Sequence, residues 1–158
     1  MVGKMTDCIF CKILAGELPA SFVYRDETCA AFMDIQPINP GHVLVIPHRH
    51  AANLAELDPA IGGQLFQIGQ QIAAALYASG IPCEGVNYFL ADGEAAGQEV
   101  FHVHLHVFPR FEGDGFGLKL SPKYFQLPER EELDRVAQRI RNIQYPISNY
   151  QLPNCKIT

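Results

Sequence analysis

No stretch of this chain approaches the roughly 20 consecutive apolar residues of a membrane span, although 48% of its 158 residues are hydrophobic. The N-terminal MVGKMTDCIF lacks the apolar run of a secretory signal. Positive charge is scarce as well: 12 Lys and Arg face 17 Asp and Glu, a net charge of −5. That balance argues against sequence-independent binding of nucleic acid, which relies on a Lys/Arg surface. It leaves room for a small anionic ligand, because backbone N–H groups and a few histidines can hold one. Internal repeats and linker-like segments are missing, and ordinary usage of Gly (13) and Pro (11) argues against a fibrous or low-complexity chain. The reading is a soluble, cytoplasmic protein with neither membrane nor nucleic acid as partner, residues 1–158 forming one domain.

The five cysteines, Cys8, Cys11, Cys29, Cys83 and Cys155, make an odd set. In a reducing compartment a CxxC pair is more often a metal or redox site than a structural disulfide. Cys8-x-x-Cys11 supplies two ligands at zinc-site spacing. Cys29, Cys83 and Cys155 have no visible partner and are read as packing residues.

The segment CIFCKILAGELPA reads as a short helix ended by Gly16 and Pro19. SFVYRD and TCAAFMDI read as a hairpin around Asp26-Glu27, and His42 to Ile46 as a third strand ended by Pro47. One long helix follows, with Asp58 as N-cap, Pro59 as first helical residue and Gly80 as stop. VNYFLAD and VFHVHLHVFPR are two further strands joined by the loop GEAAGQE. EREELDRVAQRIRNIQ is an amphipathic C-terminal helix with Leu133, Val136, Ile140 and Ile143 on one face. These elements predict an α+β fold with an antiparallel sheet of about five strands.

VFHVHLHVFPR places three of the six histidines at alternate positions. As a strand it would turn His102, His104 and His106 to one face and Val103, Leu105 and Val107 to a core on the other. Same-face neighbours lie roughly 6.5–7 Å apart, wide for three imidazoles on one metal with Zn–N bonds of about 2 Å. A row of histidines with separate tasks fits better, and His42, opening another strand, is placed to join it. Imidazole suits phosphoryl chemistry: neutral it is a nucleophile near physiological pH, and protonated it donates to phosphate oxygens. Three solvated histidines on a surface strand are disfavoured by the apolar residues between them.

GQEVFHVHLHVFPR resembles the His-x-His-x-His-x-x signature of the histidine triad (HIT) nucleotide hydrolases and transferases. CIFCKILAGELPA, AAFMDIQPINPGHVLVIPHRH and LADGEAAGQEV resemble further family segments in the expected order. The resemblance covers residues 8–110 well and 111–158 loosely, implying a HIT core with a C-terminal helical extension. It implies that His104 is the nucleophile forming a nucleotidyl-histidine, that His106 binds the phosphate and that His42 supports both. Asp34 is implied to bind the ribose hydroxyls. Phe10, Ile13 and Ile35 are implied to line the base pocket, with ordinary core packing as the rival reading.

The chain departs from the pattern at Ala91-Asp92, where the family often has Asn, and at Glu99, where it has Ser or Thr near the phosphate. Backbone N–H groups of Gly97 and Gln98 remain candidates for holding the anion, and Glu99 is a candidate proton donor to a leaving amine. The resemblance also implies a structural zinc on Cys8, Cys11, His50 and His102, with His48 as the alternative to His50, and no catalytic metal. It implies a homodimer through the long helix and a sheet edge, compatible with the apolar Leu65, Phe66, Ile68, Ile72 and Leu76. The activity implied is hydrolysis or transfer at the α-phosphate of adenosine phosphoramidates or aminoacyl-adenylates, with a purine nucleotide of AMP type as ligand. A dinucleoside polyphosphate hydrolase, a non-catalytic zinc-stabilised nucleotide-binding protein and a metalloenzyme using the histidine row as ligands are the alternatives.

Overall fold

The computed structural model describes residues 7–142. Contacts group the chain into two compact units, one reaching to Phe116 and one starting at Gly117. The first unit contains α1 (Ile9–Leu14), β1 (Phe22–Arg25), β2 (Cys29–Met33), β3 (Val43–Pro47), α2 (Pro59–Ala78), β4 (Gly85–Phe89) and β5 (Leu105–Arg110). The strands form one antiparallel sheet in the order β1-β2-β3-β5-β4. In the second unit α3 (Arg130–Asn142) is amphipathic, with Leu133, Val136 and Ile140 exposed. Ile143 and Cys155 lie outside the described residues.

Alternation along the strands splits the buried side chains between the two sheet faces. Ala31, Val43, Val45, Leu105 and Val107 meet Leu65, Ile68, Ile72 and Leu76 of α2 on one face. Ala30, Phe32, Leu44 and Ile46 meet Phe10 and Ile13 of α1 on the other. Four of the five apolar α2 residues expected at a dimer interface are therefore core, and of these five only Phe66 is exposed. Asp58 caps α2 by accepting from the Ala60 N–H at 2.8 Å, and Pro59 follows as its first residue.

The last strand is shorter than the sequence pattern suggests, since β5 begins at Leu105 and excludes His102 and His104. The backbone bonds of the preceding segment go elsewhere: the His102 N–H donates to Val100 and the Val103 N–H to Ala51. The alternation survives this change, with Val103 buried among the α2-facing residues. Gly41, just before β3, has φ of +100°, and a Cβ there would lie 2.9 Å from Leu76 Cδ2, so the turn into His42 requires glycine.

Candidate active site and metal centre

The α1 face of the sheet carries a cavity of about 780 Å3, a size typical of small-molecule sites. Phe10, Ile13, Asp34, Ile35, Gly97 and Glu99 all line it, as do His42, His104 and His106. Phe10 and Ile13 serve the core and the cavity together, being buried on the sheet while bordering the open space, whereas Ile35 is almost fully exposed at its rim. Sequence reasoning missed Phe89, Phe108 and Phe116. Phe108 was within reach, because the period of two that links His104 to His106 continues to it. Phe116 had no such signal. Arg110 brings it in, donating to the Phe116 carbonyl at 2.7 Å and to the carboxylate of Asp114, while its guanidinium lies over the Phe116 ring.

Register explains how Asp34, His42 and His106 meet. Leu44 pairs with His106 across β3 and β5, and the Asp34 N–H donates to the His42 carbonyl at the β2–β3 connection. Asp34 Oδ2 consequently lies 3.7 Å from His42 Nε2 and 3.9 Å from His106 Nδ1. Its other oxygen accepts from the Gln36 N–H at 2.9 Å.

Backbone partners fix the histidine tautomers, since an N–H only donates and a carbonyl only accepts. The Ile38 N–H donates to His42 Nδ1 at 3.1 Å. Neutral His42 therefore carries its proton on Nε2 and donates it to His106 Nδ1, 2.9 Å away. Neutral His106 in turn keeps its own proton on Nε2. His104 Nδ1–H donates to the His102 carbonyl at 2.7 Å, which leaves the lone pair on Nε2. Burial holds His42 and His104 below the ordinary imidazole value and lowers His106 to about 4, with neighbouring His104 and His42 adding to the last shift. The row is neutral at physiological pH.

Behind this row is a second cluster, Cys8, Cys11, His50 and His102, whose ligand atoms all lie within 4.8 Å of one another. His50 Nδ1 is 3.4 Å from Cys11 Sγ, and His102 Nδ1 is 3.4 Å from Cys8 Sγ and 3.7 Å from Cys11 Sγ. His50, not His48, faces the thiols. His102 Nε2–H donates to the Pro47 carbonyl at 2.9 Å, so its Nδ1 lone pair is turned toward the sulfurs. Desolvation, with the Cys8 sulfur beside it, pushes the Cys11 thiol up to about 11, and a bound cation would reverse this by holding the thiolate. Two thiols and two imidazoles with an outer hydrogen bond fit a tetrahedral metal such as zinc.

Asp34, His42 and His106 also place donor atoms within 4.8 Å of one another. That trio does not fit a metal, because the Ile38 N–H commits His42 Nδ1 as an acceptor and leaves a proton on the Nε2 that would have to ligate.

The loop before the histidines corrects the expectation for Gly97 and Gln98. The Gly97 N–H donates to Glu94 and the Gln98 N–H to Gly93, so both are occupied inside the turn. The Gln98 side chain is buried, accepting from the Gly93 N–H and donating to the Ala52 and Val100 carbonyls. These bonds fix the loop, and Gln98 is not among the residues that line the cavity. Asp92 is similarly engaged, accepting from the Leu54 N–H, and Ala91 is buried.

A histidine that lines a largely apolar cavity with its Nε2 lone pair uncommitted, tied through His102 to a Cys2His2 cluster, defines a histidine-based site with a metal-compatible support. The HIT domain family model matches residues 15–113, and the chain belongs to the HIT family. Cys8 and Cys11 precede the matched span. Protein hit of Bacillus subtilis is 46% identical over 112 residues, which is 70% of this chain and 77% of that protein. The crystal structure of a Zn-bound histidine triad family protein from Mycobacterium smegmatis superposes with a TM-score of 0.69 at 38% identity, covering 87% of this chain and 99% of the other. Adenylylsulfatase HINT3 of Arabidopsis thaliana is 33% identical over 136 residues, 85% of this chain and 68% of its own length. Among the described residues no helix is long and apolar enough to cross a membrane.

Proposed function

We propose that this protein is a nucleotide hydrolase or transferase acting at the α-phosphate of adenosine phosphoramidates or aminoacyl-adenylates. The observation that carries the reading is the His104 tautomer. Its Nδ1–H is held by the His102 carbonyl at 2.7 Å, so the Nε2 lone pair is ready to attack phosphorus. As the P–N bond breaks, its electron pair stays on nitrogen, which takes up a proton and leaves as an amine. The imidazole becomes a cationic nucleotidyl-histidine, and the same carbonyl then accepts a charge-assisted hydrogen bond. Water attacks phosphorus, AMP departs, a proton is released and Nε2 recovers its lone pair.

His106 Nε2–H is the donor for a phosphate oxygen, and His42 sets its tautomer from behind. Asp34 takes the ribose hydroxyls, while Phe10, Ile13 and Ile35 border the purine. When bound at Cys8, Cys11, His50 and His102, zinc supplies a structural cross-link and no part of the reaction. The reading extends to a cytoplasmic homodimer with residues 1–158 as one HIT domain, its core at about 8–110. Its relation to HINT3, named as an adenylylsulfatase, supports chemistry on an adenylyl group.

Mass spectrometry after mixing with an adenosine phosphoramidate tests the proposal. The expected result is an adduct of one AMP mass that disappears in His104→Ala. No adduct and no turnover would instead favour a nucleotide-binding protein without catalysis.

A further inference from the structure

The cavity is unusual in its charges. Its described lining contains no Lys or Arg, and its only acidic side chains are Asp34 and Glu99. With the His42 and His104 N–H groups already engaged, the His106 Nε2–H can meet a single phosphoryl group. Nothing in the lining matches additional phosphates, for which proteins ordinarily supply Arg, Lys or a cation. Glu99 is placed by its neighbour: the Gln98 side chain is bound inward by three hydrogen bonds, and Glu99, next in the chain, is exposed and turned to the cavity. It shares the cavity lining with His104, whose attack on phosphorus would expel the leaving group.

We infer that Glu99 selects the leaving group, favouring substrates whose departing amine carries a cationic ammonium on its tail and disfavouring those that release a polyphosphate. This rests on the reading of the cavity as a nucleotide site. An exposed carboxylate attracts a cation weakly, so the effect is a preference and not an absolute requirement. For an anionic leaving group the same carboxylate is a repulsive element, which is how a site separates two substrates sharing one nucleotide. Among the activities open to a HIT protein, this lining disfavours dinucleoside polyphosphates.

Calorimetric titration of adenosine 5′-sulfamate analogues tests the inference without requiring turnover. One analogue carries an aminopentyl tail, one a pentyl tail and one a carboxypentyl tail. The wild-type protein is expected to bind the aminopentyl compound about fivefold tighter than the pentyl compound at low salt, with the difference fading at high salt. In Glu99→Gln the two should bind within about twofold of each other, and Glu99→Lys should reverse the order in favour of the carboxypentyl compound. Reversal by opposite charge is an effect that a merely structural Glu99 would not produce. If AMP binds the wild-type protein but the three tails bind alike, the inference fails while the nucleotide reading stands. If neither AMP nor any analogue binds, the nucleotide reading fails and takes the inference with it.

Discussion

The Ile38 N–H, 3.1 Å from His42 Nδ1, fixes the His42 tautomer and through it that of His106, because the second bond of the chain, at 2.9 Å, then has one possible direction. Neither Ile38 nor the hydrogen bond it makes can be read from the sequence, which shows the histidines but not the backbone that assigns their protons. The three alternating histidines suggested a shared face. What the sequence left open was that His102 turns its Nδ1 to the thiols while its carbonyl holds His104, so one residue serves both clusters. Removing His42 tests the relay. His42→Ala leaves His106 Nδ1 without its donor, and a loosely oriented phosphate partner costs on the order of 10²-fold in rate. Single-turnover measurements should show the AMP adduct still forming, about 10²-fold more slowly. An unchanged rate would mean that His106 is oriented without it.

At the level of elements, α2, the hairpin of β1 and β2, and β3 were legible because their signals are local: a cap and proline for the helix, alternation for the strands. β5 was legible as apolar alternation but not in extent, since the Val103 N–H bonds to Ala51 outside the sheet. The loop Gly93–Gln98 looked like an anion-binding turn from its glycines. Its N–H groups at Gly97 and Gln98 close the turn instead, a backbone pairing that composition does not reveal. The Cys/His cluster is where α1, the segment after β3 and the segment before β5 converge. A metal there would tie α1, only six residues long and too short to be stable alone, to the sheet. Elemental analysis of protein purified without added metal should find about one zinc per chain. Cys11→Ser should reduce it below about 0.2 and lower the melting temperature. Zinc below about 0.2 in the wild type would remove the structural-metal reading.

At the scale of the whole molecule, acid sensitivity should reveal the buried imidazoles. His106 has an ordinary value of 6.5 and a folded value of about 4, so the unfolded chain binds its proton more readily. Stability is therefore fully present above pH 6.5 and lost as pH falls from 6.5 toward 4. Burial gives His42 the same sign. Asp26 and Asp114 are held well below the usual carboxylate range by hydrogen bonds from Tyr24 and Arg110, and their contribution is lost only below an ordinary value of 3.8. Melting temperatures should thus decline between pH 6.5 and 4 before the carboxylates titrate. A flat profile over that interval would contradict the buried neutral row.

Beside the edge strand, α2 leaves aromatic side chains uncovered. Leu65, Ile68, Ile72 and Leu76 are spent on the core, but Phe66 and Tyr77, three helical turns apart on α2, are 51% and 58% exposed. Phe66 stacks on Tyr88 of the edge strand β4, which is itself 38% exposed. Aromatic area left open beside the outer edge of a terminal strand is the composition of an interface centre. Apolar periodicity marks the buried face of α2, whereas Phe66 and Tyr77 sit on its flank. Sedimentation equilibrium should give twice the 17.5 kDa chain mass. Phe66→Glu with Tyr77→Glu, both away from the cavity, should shift the species toward the chain mass, because paired carboxylates at a twofold contact repel and resist desolvation. A wild-type protein that sediments as a single chain at high concentration would show that these aromatics serve the folded subunit alone.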